Sequence, residues 1–500
     1  MAETPSFGRG VTLLTPKGKG SFKLDVSALE ELLLADKVKN KPVVVVSVVG
    51  IFRKGKSFLL NFFIRYLRSR CQSDWLNEPN TVHDGFVWRG GSERETQGIL
   101  LWNEVFLVVT PRGEEVAVVL MDTQGTFDRK STTTESAKIF SLSALLSSVL
   151  IYNISQNIGE DDLQHLQLFC DYGCLVKKDV TGAPFQKLLF LVRDWSYPYE
   201  FEYGEKGGKQ LLTKALQTSD EQEEQLRKLR EDIRSSFEEI ACFLLPYPGS
   251  QVATGPEYKG QLEEIDSSFL KHMEQLMLTV LHPRNLQPKR VNSVPVTCAE
   301  LCTYFQVYAE AFKSGEIPDA KTMREATGAA NNLSALTDAL NFYVHEMNQF
   351  CSGTRSQDEA NLSVTHRLLR DAAVKKFYSV QKLGGRDLEE TYKERMLEAI
   401  DKTFQEFVKR NNDKQFQGDM TDVFRDLFLV VGTGILSIPF RSASLAARVM
   451  SFLKYIPGLG LPIASSVLSR LLGDAVAPVD NNPVNADERG LVHSLVTQGK

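Results

Sequence analysis

The stretch VVVVSVVGIFRKGKSFLLNFFIRYL, residues 43–67, decides the fold. Its opening run of β-branched residues is what a strand buried on both faces looks like. Gly50 to Ser57 then fits G-x-x-x-x-G-K-[ST] in full, and an apolar run at helical spacing follows. Arg53, Lys54 and Lys56 fall within one short loop, where like charges repel unless something negative sits among them. A triphosphate resolves that crowding. The glycines let backbone N–H groups turn inward around phosphate, and the helix starting near Ser57 adds its positive end. Lys56 is expected to reach the β- and γ-phosphates, and the Ser57 hydroxyl to bind Mg²⁺. A basic surface turn would explain the charges but not strand, motif and helix together.

Outward from this loop, β-rich runs alternate with helical stretches from about residue 42 to 252. They read EVFLVVT, VAVVLMDT, SSVLIYNIS and KLLFLVRDW. Such alternation implies an α/β domain with a mainly parallel sheet. Pro283, Pro288 and Pro295 interrupt regular structure and read as a linker, a natural hinge. From 297 to about 412 the pattern is helical, and amphipathic stretches such as LEETYKERMLEAIDKTFQEFVKRN suggest a small bundle. The expected domains are 1–290, a nucleotide-binding α/β domain; 291–415, a helical bundle; 416–474, an apolar hairpin or amphipathic segment; and 475–500, a polar tail. A chain of 500 residues is too long for one ordinary core. Its net charge of -5 argues against a general nucleic-acid partner. Its 7 cysteines lack regular spacing, which points to reduced thiols in a cytosolic setting rather than a zinc site. MAETPSFGRG has no basic-then-apolar signal pattern.

Further stations of a nucleotide hydrolase follow in order. VAVVLMDTQG ends a hydrophobic strand in Asp122, placed to hold Mg²⁺ through water, and the Gly125 N–H is placed to touch the γ-phosphate. Between lies GFVWRGGSERETQGILLW, a glycine-bracketed polar loop suited to a switch segment. Thr96 is the candidate second hydroxyl ligand, with Thr81 or Ser92 competing on spacing alone. LLFLVRDW ends a strand in Arg193-Asp194, whose carboxylate can accept both N1–H and N2–H of guanine. That predicts GTP over ATP, although the commoner Asn-Lys-x-Asp is absent; a surface Arg-Asp pair is the competing reading.

Together GIFRKGKSFLLNF, WRGGSERETQGI, MDTQGTFD and LVRDW resemble the atlastin branch of the dynamin-like GTPases. CFLLPYPG with VAT after it, and IPDAKTMREATGAANNLSAL with VQKLGGRDLEETY, extend the likeness to about residue 412. The resemblance implies a Mg²⁺-dependent GTP hydrolase that binds GTP and GDP. It also implies GTP-driven homodimerisation through the nucleotide-binding domain, and tethering or fusion of endoplasmic reticulum membranes from the cytosolic face. It makes Arg53 the catalytic arginine, with Lys56 and Thr96. The internal arginine would compensate for the absent water-orienting glutamine, since Thr126 follows Gly125 and Gln124 precedes it. The resemblance gives Ser57, Thr96 and Asp122 to Mg²⁺. It gives Gly50, Lys54, Gly55, Phe58, Arg89, Gly125, Arg193, Asp194 and Val252 to the nucleotide or its switch. One relative of that branch carries a RING finger; no zinc-spaced Cys/His set occurs in this sequence.

Atlastin-like proteins follow the bundle with two membrane segments. Here residues 427–440, LFLVVGTGILSIPF, fall short of the roughly 20 that a perpendicular span needs. The next apolar stretch carries Arg448 and Lys454 and is bent by Gly458, Gly460 and Pro462. A shallow hairpin or interfacial helices are therefore expected, with membrane lipid as partner. The alternative to a membrane-remodelling GTPase is a regulatory GTPase that recruits partner proteins by nucleotide-dependent assembly and fuses nothing. A non-hydrolysing nucleotide-binding module is the third reading.

Overall fold

The computed structural model describes residues 8–17, 21–51, 54–76, 85–87, 96–125, 133–167, 183–219, 222–255, 258, 260–313, 320–352 and 357–413. The expected strands all form: β3 (Val43–Gly50), β5 (Phe106–Val109), β6 (Glu115–Thr123), β7 (Val149–Ser155) and β8 (Phe185–Arg193). Four more join them: β1 (Gly10–Pro16), β2 (Phe22–Leu24), β4 (Ile99–Trp102) and β9 (Phe237–Leu244). The order is β2-β1-β4-β6-β3-β7-β8-β9, with β5 also on β6. From β6 to β9 every pairing is parallel; β1, β2, β4 and β5 make an antiparallel flank. The sheet is thus mixed and mostly parallel.

Every residue of β3 is buried because both faces are covered. Val44, Val46 and Val48 face α2 (Lys56–Arg68) and α7 (Ser267–Leu281). Val43 and Val45 face the other side, toward α1 (Val26–Leu33) and α3 (Thr133–Leu146). Helices α4 (Glu205–Ala215), α5 (Glu224–Ser236) and the short α6 (Ser250–Thr254) complete the domain around β8 and β9. Cys242 is buried in that core, and Cys298 and Cys302 in the one shared with α1 and α3.

A helical part follows: α8 (Cys298–Ala311), α9 (Ala320–Cys351), α10 (Glu359–Tyr378) and α11 (Arg386–Asp413). Helix α8 begins with a capping box, in which Thr297 accepts from the Glu300 N–H and Glu300 accepts from the Thr297 N–H. Across α9, α10 and α11, Tyr343 Oη bonds His366 Nδ1 at 2.8 Å and the His366 ring stacks on Phe404 at 3.9 Å. Arg370 Nε donates to Asp401 at 2.9 Å.

The proline-marked stretch differs from the expected hinge. It forms a hairpin of β10 (Arg290–Val291) and β11 (Val294–Pro295). Asn292 and Ser293 turn it at φ 53° and 64°, the positive pair that a two-residue turn requires. Main-chain bonds stitch it to β3: Lys289 N–H donates to Val43 O at 2.7 Å, and Val43 N–H to Val296 O at 2.9 Å. Two buried lysines add to the seat. Lys138 on α3 donates to the Phe312 carbonyl at the end of α8, and Lys289 donates to the Ser147 carbonyl just past α3, at 3.2 and 3.1 Å. The expected segment 416–474 and tail 475–500 lie outside the described residues. Among the described residues no helix is long and apolar enough to cross a membrane.

Candidate functional site

The parallel register aligns the expected stations along one edge. Val48 of β3 pairs with Asp122 of β6, Gly50 with Asn153 of β7, and Ser155 with Arg193 of β8. The loop after β3 therefore leaves the sheet at the carboxyl ends of the strands. On either side of β3 the order runs to β6 and to β7, the place where α/β sheets bind ligands. Gly50 is required there: its φ is 135°, and a Cβ would lie 2.1 Å from the Asn153 carbonyl oxygen. Gly55 is left-handed at φ 71° and offers no side-chain cap to α2, so the first N–H groups of that helix stay available to an anion.

Lys56 is buried, and its Nζ donates to the carbonyls of Gly50 and Ile51 at 3.3 and 3.2 Å. Burial pulls its pKa down to about 8, opposed by the charge of Asp122. Asp122 is buried too, and burial raises its carboxyl above the ordinary value against Lys56, Ser57, Thr96 and the Thr123 amide. The Ser57 hydroxyl donates to Asp122 Oδ2 at 2.6 Å and the Thr96 hydroxyl to the same oxygen at 3.2 Å. The two hydroxyl oxygens are 3.3 Å apart. Three oxygens thus converge from β6, the head of α2 and the segment before β4. Hard oxygen donors in which one carboxylate meets two hydroxyls fit Mg²⁺, which takes few protein ligands and completes its shell with phosphate and water.

Arg193 lies under the loop rather than beside it. Its Nη1 approaches the carbonyls of Lys54 and Gly55, both at 3.5 Å, and its guanidinium lies 5.6 Å from the centroid of the Phe269 ring. Asp194 follows at φ 58° and half-buried, braced by the Ser196 hydroxyl, which donates to its carbonyl at 3.0 Å. Trp195 N–H donates to Leu245 O at 3.1 Å, joining this corner to the end of β9, and Val252 lies further on, in α6. The Phe58 ring points into the core with Phe62 and Phe269, which leaves its main chain as the part that can meet a nucleotide. Gly125 lies just past the end of β6. Arg53 and Arg89 lie outside the described residues, as do Thr81, Ser92 and Thr126.

Asn153 escaped the sequence reading: its Nδ2 donates to the Lys54 carbonyl at 3.0 Å. An asparagine inside the run VLIYNIS, fully buried, was the available signal.

Comparison with known proteins gives the same family over most of the chain. The model described as guanylate-binding protein, N-terminal domain, matches residues 19–289, and that for the C-terminal domain matches 292–439. Atlastin-1 of Bos taurus is 46% identical over 405 residues, 81% of this chain and 73% of the relative. Atlastin-2 of Homo sapiens is 46% identical over 395 residues, 79% and 68% of the two chains. The chain belongs to the atlastin-like branch of the dynamin-like GTPases. As an atlastin-like protein it is a GTP hydrolase built from a guanylate-binding domain and a helical domain.

Proposed function

We propose that this atlastin-like chain is a Mg²⁺-dependent GTPase whose nucleotide state controls homodimerisation through the nucleotide-binding domain. Its output is tethering, fusion or remodelling of an endomembrane such as the endoplasmic reticulum. The observation that carries the enzymatic part is the convergence of Ser57, Thr96 and Asp122 beside Lys56.

Ser57 and Thr96 would hold the metal directly and Asp122 through water. Held there, Mg²⁺ would supply positive charge against the phosphate oxygens. The chain's own groups do the rest. Amides of the loop from Gly50 through Lys54 and Gly55 to the first turn at Phe58 cradle the phosphates. Lys56 exchanges its two loop carbonyls for β- and γ-phosphate oxygens, and their charge favours its protonated form. The Gly125 amide orients the γ-phosphate. Arg53, within the loop, stabilises the charge that develops at the β–γ bridge, and Arg89 belongs to the switch at the dimer face. Asp194 accepts from guanine, with Arg193 setting the distance between that carboxylate and the phosphate loop; Val252 closes the base side.

Phosphate release from GTP, measured with and without Mg²⁺, tests this. The unmodified chain should turn over only with Mg²⁺, and Lys56→Ala should abolish turnover. Steady release by Lys56→Ala would refute the site. Sizing the chain with GDP and with a transition-state mimic should give monomer and dimer; one size in both removes the dimer switch. Carbonate extraction of membranes reads the last step, since release into the soluble fraction would leave no membrane role for residues 416–474.

A further inference from the structure

Two buried carboxamides, Gln124 and Asn61, have no part in the nucleotide reading. Gln124 N–H donates to the Gly98 carbonyl at 2.8 Å, and Gln124 Oε1 accepts the Gly98 N–H at 2.8 Å. This pair prolongs the antiparallel ladder of β4 on β6, in which Ile99 opposes Thr123. An unbroken ladder would use the main-chain carbonyl of Gln124 at that point; the side chain takes its place. The chain can then leave the sheet at Gly125 while Gly98 stays tied. Gly98 has φ 71°, and a Cβ there would meet Leu14 O at 1.6 Å, so its backbone has one seat. Asn61 on α2 grips Phe86 in the same two-handed way: Nδ2 donates to Phe86 O at 3.1 Å, and Oδ1 accepts the Phe86 N–H at 2.7 Å.

We propose that Gln124 and Asn61 are positioning residues of the metal site: they fix the main chain at Gly98 and Phe86, in sequence on either side of Thr96, so that the Thr96 hydroxyl meets Ser57 and Asp122. The inference rests on the Mg²⁺ reading above. Gln124 is 1% exposed and, among the described residues, its Nε2 has no partner. A buried donor without a partner is a standing cost, which a leucine of similar size would not carry. What the amide offers in return is its acceptor for Gly98. Neutral amides also grip backbone without adding charge beside Asp122 or drawing the metal away. Thr96 is two residues from Gly98, so a slack tie there moves its hydroxyl.

The test uses the full chain carrying Gln124→Leu, Asn61→Leu or Gln124→Glu; the last keeps an oxygen to accept from Gly98. Three quantities are read: the Mg²⁺ midpoint for GTP turnover, binding of fluorescent GDP without metal, and hydrogen exchange of the Gly98 amide. Both leucine variants should raise the Mg²⁺ midpoint about 10- to 100-fold, the usual effect of losing an outer-shell partner. Metal-free GDP binding should stay unchanged. Gly98 exchange should quicken in Gln124→Leu and return toward the unmodified rate in Gln124→Glu; the midpoint is read in the leucine variants alone, because a carboxylate beside Asp122 acts on the metal by its own charge. An unmoved midpoint in the leucine variants, or metal-free GDP binding that falls in step with it, overturns the proposal. Gln124→Met keeps the length without the acceptor and decides the matter if Gln124→Leu does not fold. An unmodified chain that turns over GTP without Mg²⁺ refutes the metal site itself, a separately visible result that takes this inference with it.

Discussion

Lys289 holds an ammonium in the junction between sheet and helices, and burial lowers its pKa from 10.5 to about 8. Below about 8 it is charged in both folded and unfolded chains, and the burial penalty is complete. Between about 8 and 10.5 the unfolded chain binds more protons, so raising the pH relieves the penalty and stability rises. The relief is on the order of 3 kcal/mol. Denaturant midpoints from pH 7 to 10 should therefore climb more steeply in the unmodified chain than in Lys289→Met; parallel slopes would place that ammonium in water. Asp194 gives a second residue-level expectation. On the proposed guanine contact, an amide replaces one of the two acceptor oxygens by a donor, so Asp194→Asn should weaken GTP binding on the order of tenfold or more. Competition with ATP measures it, and an unaltered preference would show that the base is read elsewhere. The phosphate-loop motif marked Lys56 and Ser57 as candidates, and the end of a hydrophobic strand marked Asp122; the structure brings the three together. Asn153, Gln124 and Asn61 were not legible, since an amide that grips backbone leaves no spacing rule in the sequence. Arg193 read as a base contact, yet its guanidinium lies beneath the loop carbonyls.

Elements show the same division. Runs such as VVVVSVVG announce themselves because a parallel strand covered on both faces has no polar side to interrupt it. β9, FEEIACFL, has two exposed glutamates after its first residue, and β1 mixes threonine and proline into an antiparallel flank; neither yields a continuous run. The hairpin of β10 and β11 hid behind its prolines, although Val-Asn-Ser-Val was its turn signal. Helix α8 depends on its start: Thr297→Ala removes the cap acceptor and should lower the unfolding free energy by about 1 kcal/mol. A denaturant midpoint equal to that of the unmodified chain would mean that Glu300 alone keeps the helix end in place.

For the whole molecule, α3 is the rod that joins nucleotide edge and helical part. It follows Gly125 in the chain, seats Lys138 against the end of α8, and has Lys289 against its own end. Lys138→Met leaves the Phe312 carbonyl without that donor, so hydrogen exchange near residues 309–313 should quicken and stability fall by about 1–3 kcal/mol. Unchanged exchange would mean the two parts are held without the Lys138 bond, by the main-chain stitches at β3 and the shared apolar core. The change from β-rich runs to amphipathic helices was readable from composition. That the helical part shares a core with α1 and α3 was not, because which helix faces pack together is settled only by the tertiary fold.

The sealed thiols turn this architecture into its own reporter. Burial pushes Cys298 and Cys302 up to about 12 and Cys242 higher still, so near neutral pH almost no thiolate exists for an alkylating reagent to attack. Labelling must wait for the protein to breathe: Cys242 marks parting of the sheet, and the other pair marks lift-off of α8. Mass-resolved labelling rates with and without GTP would then reveal which seam yields first.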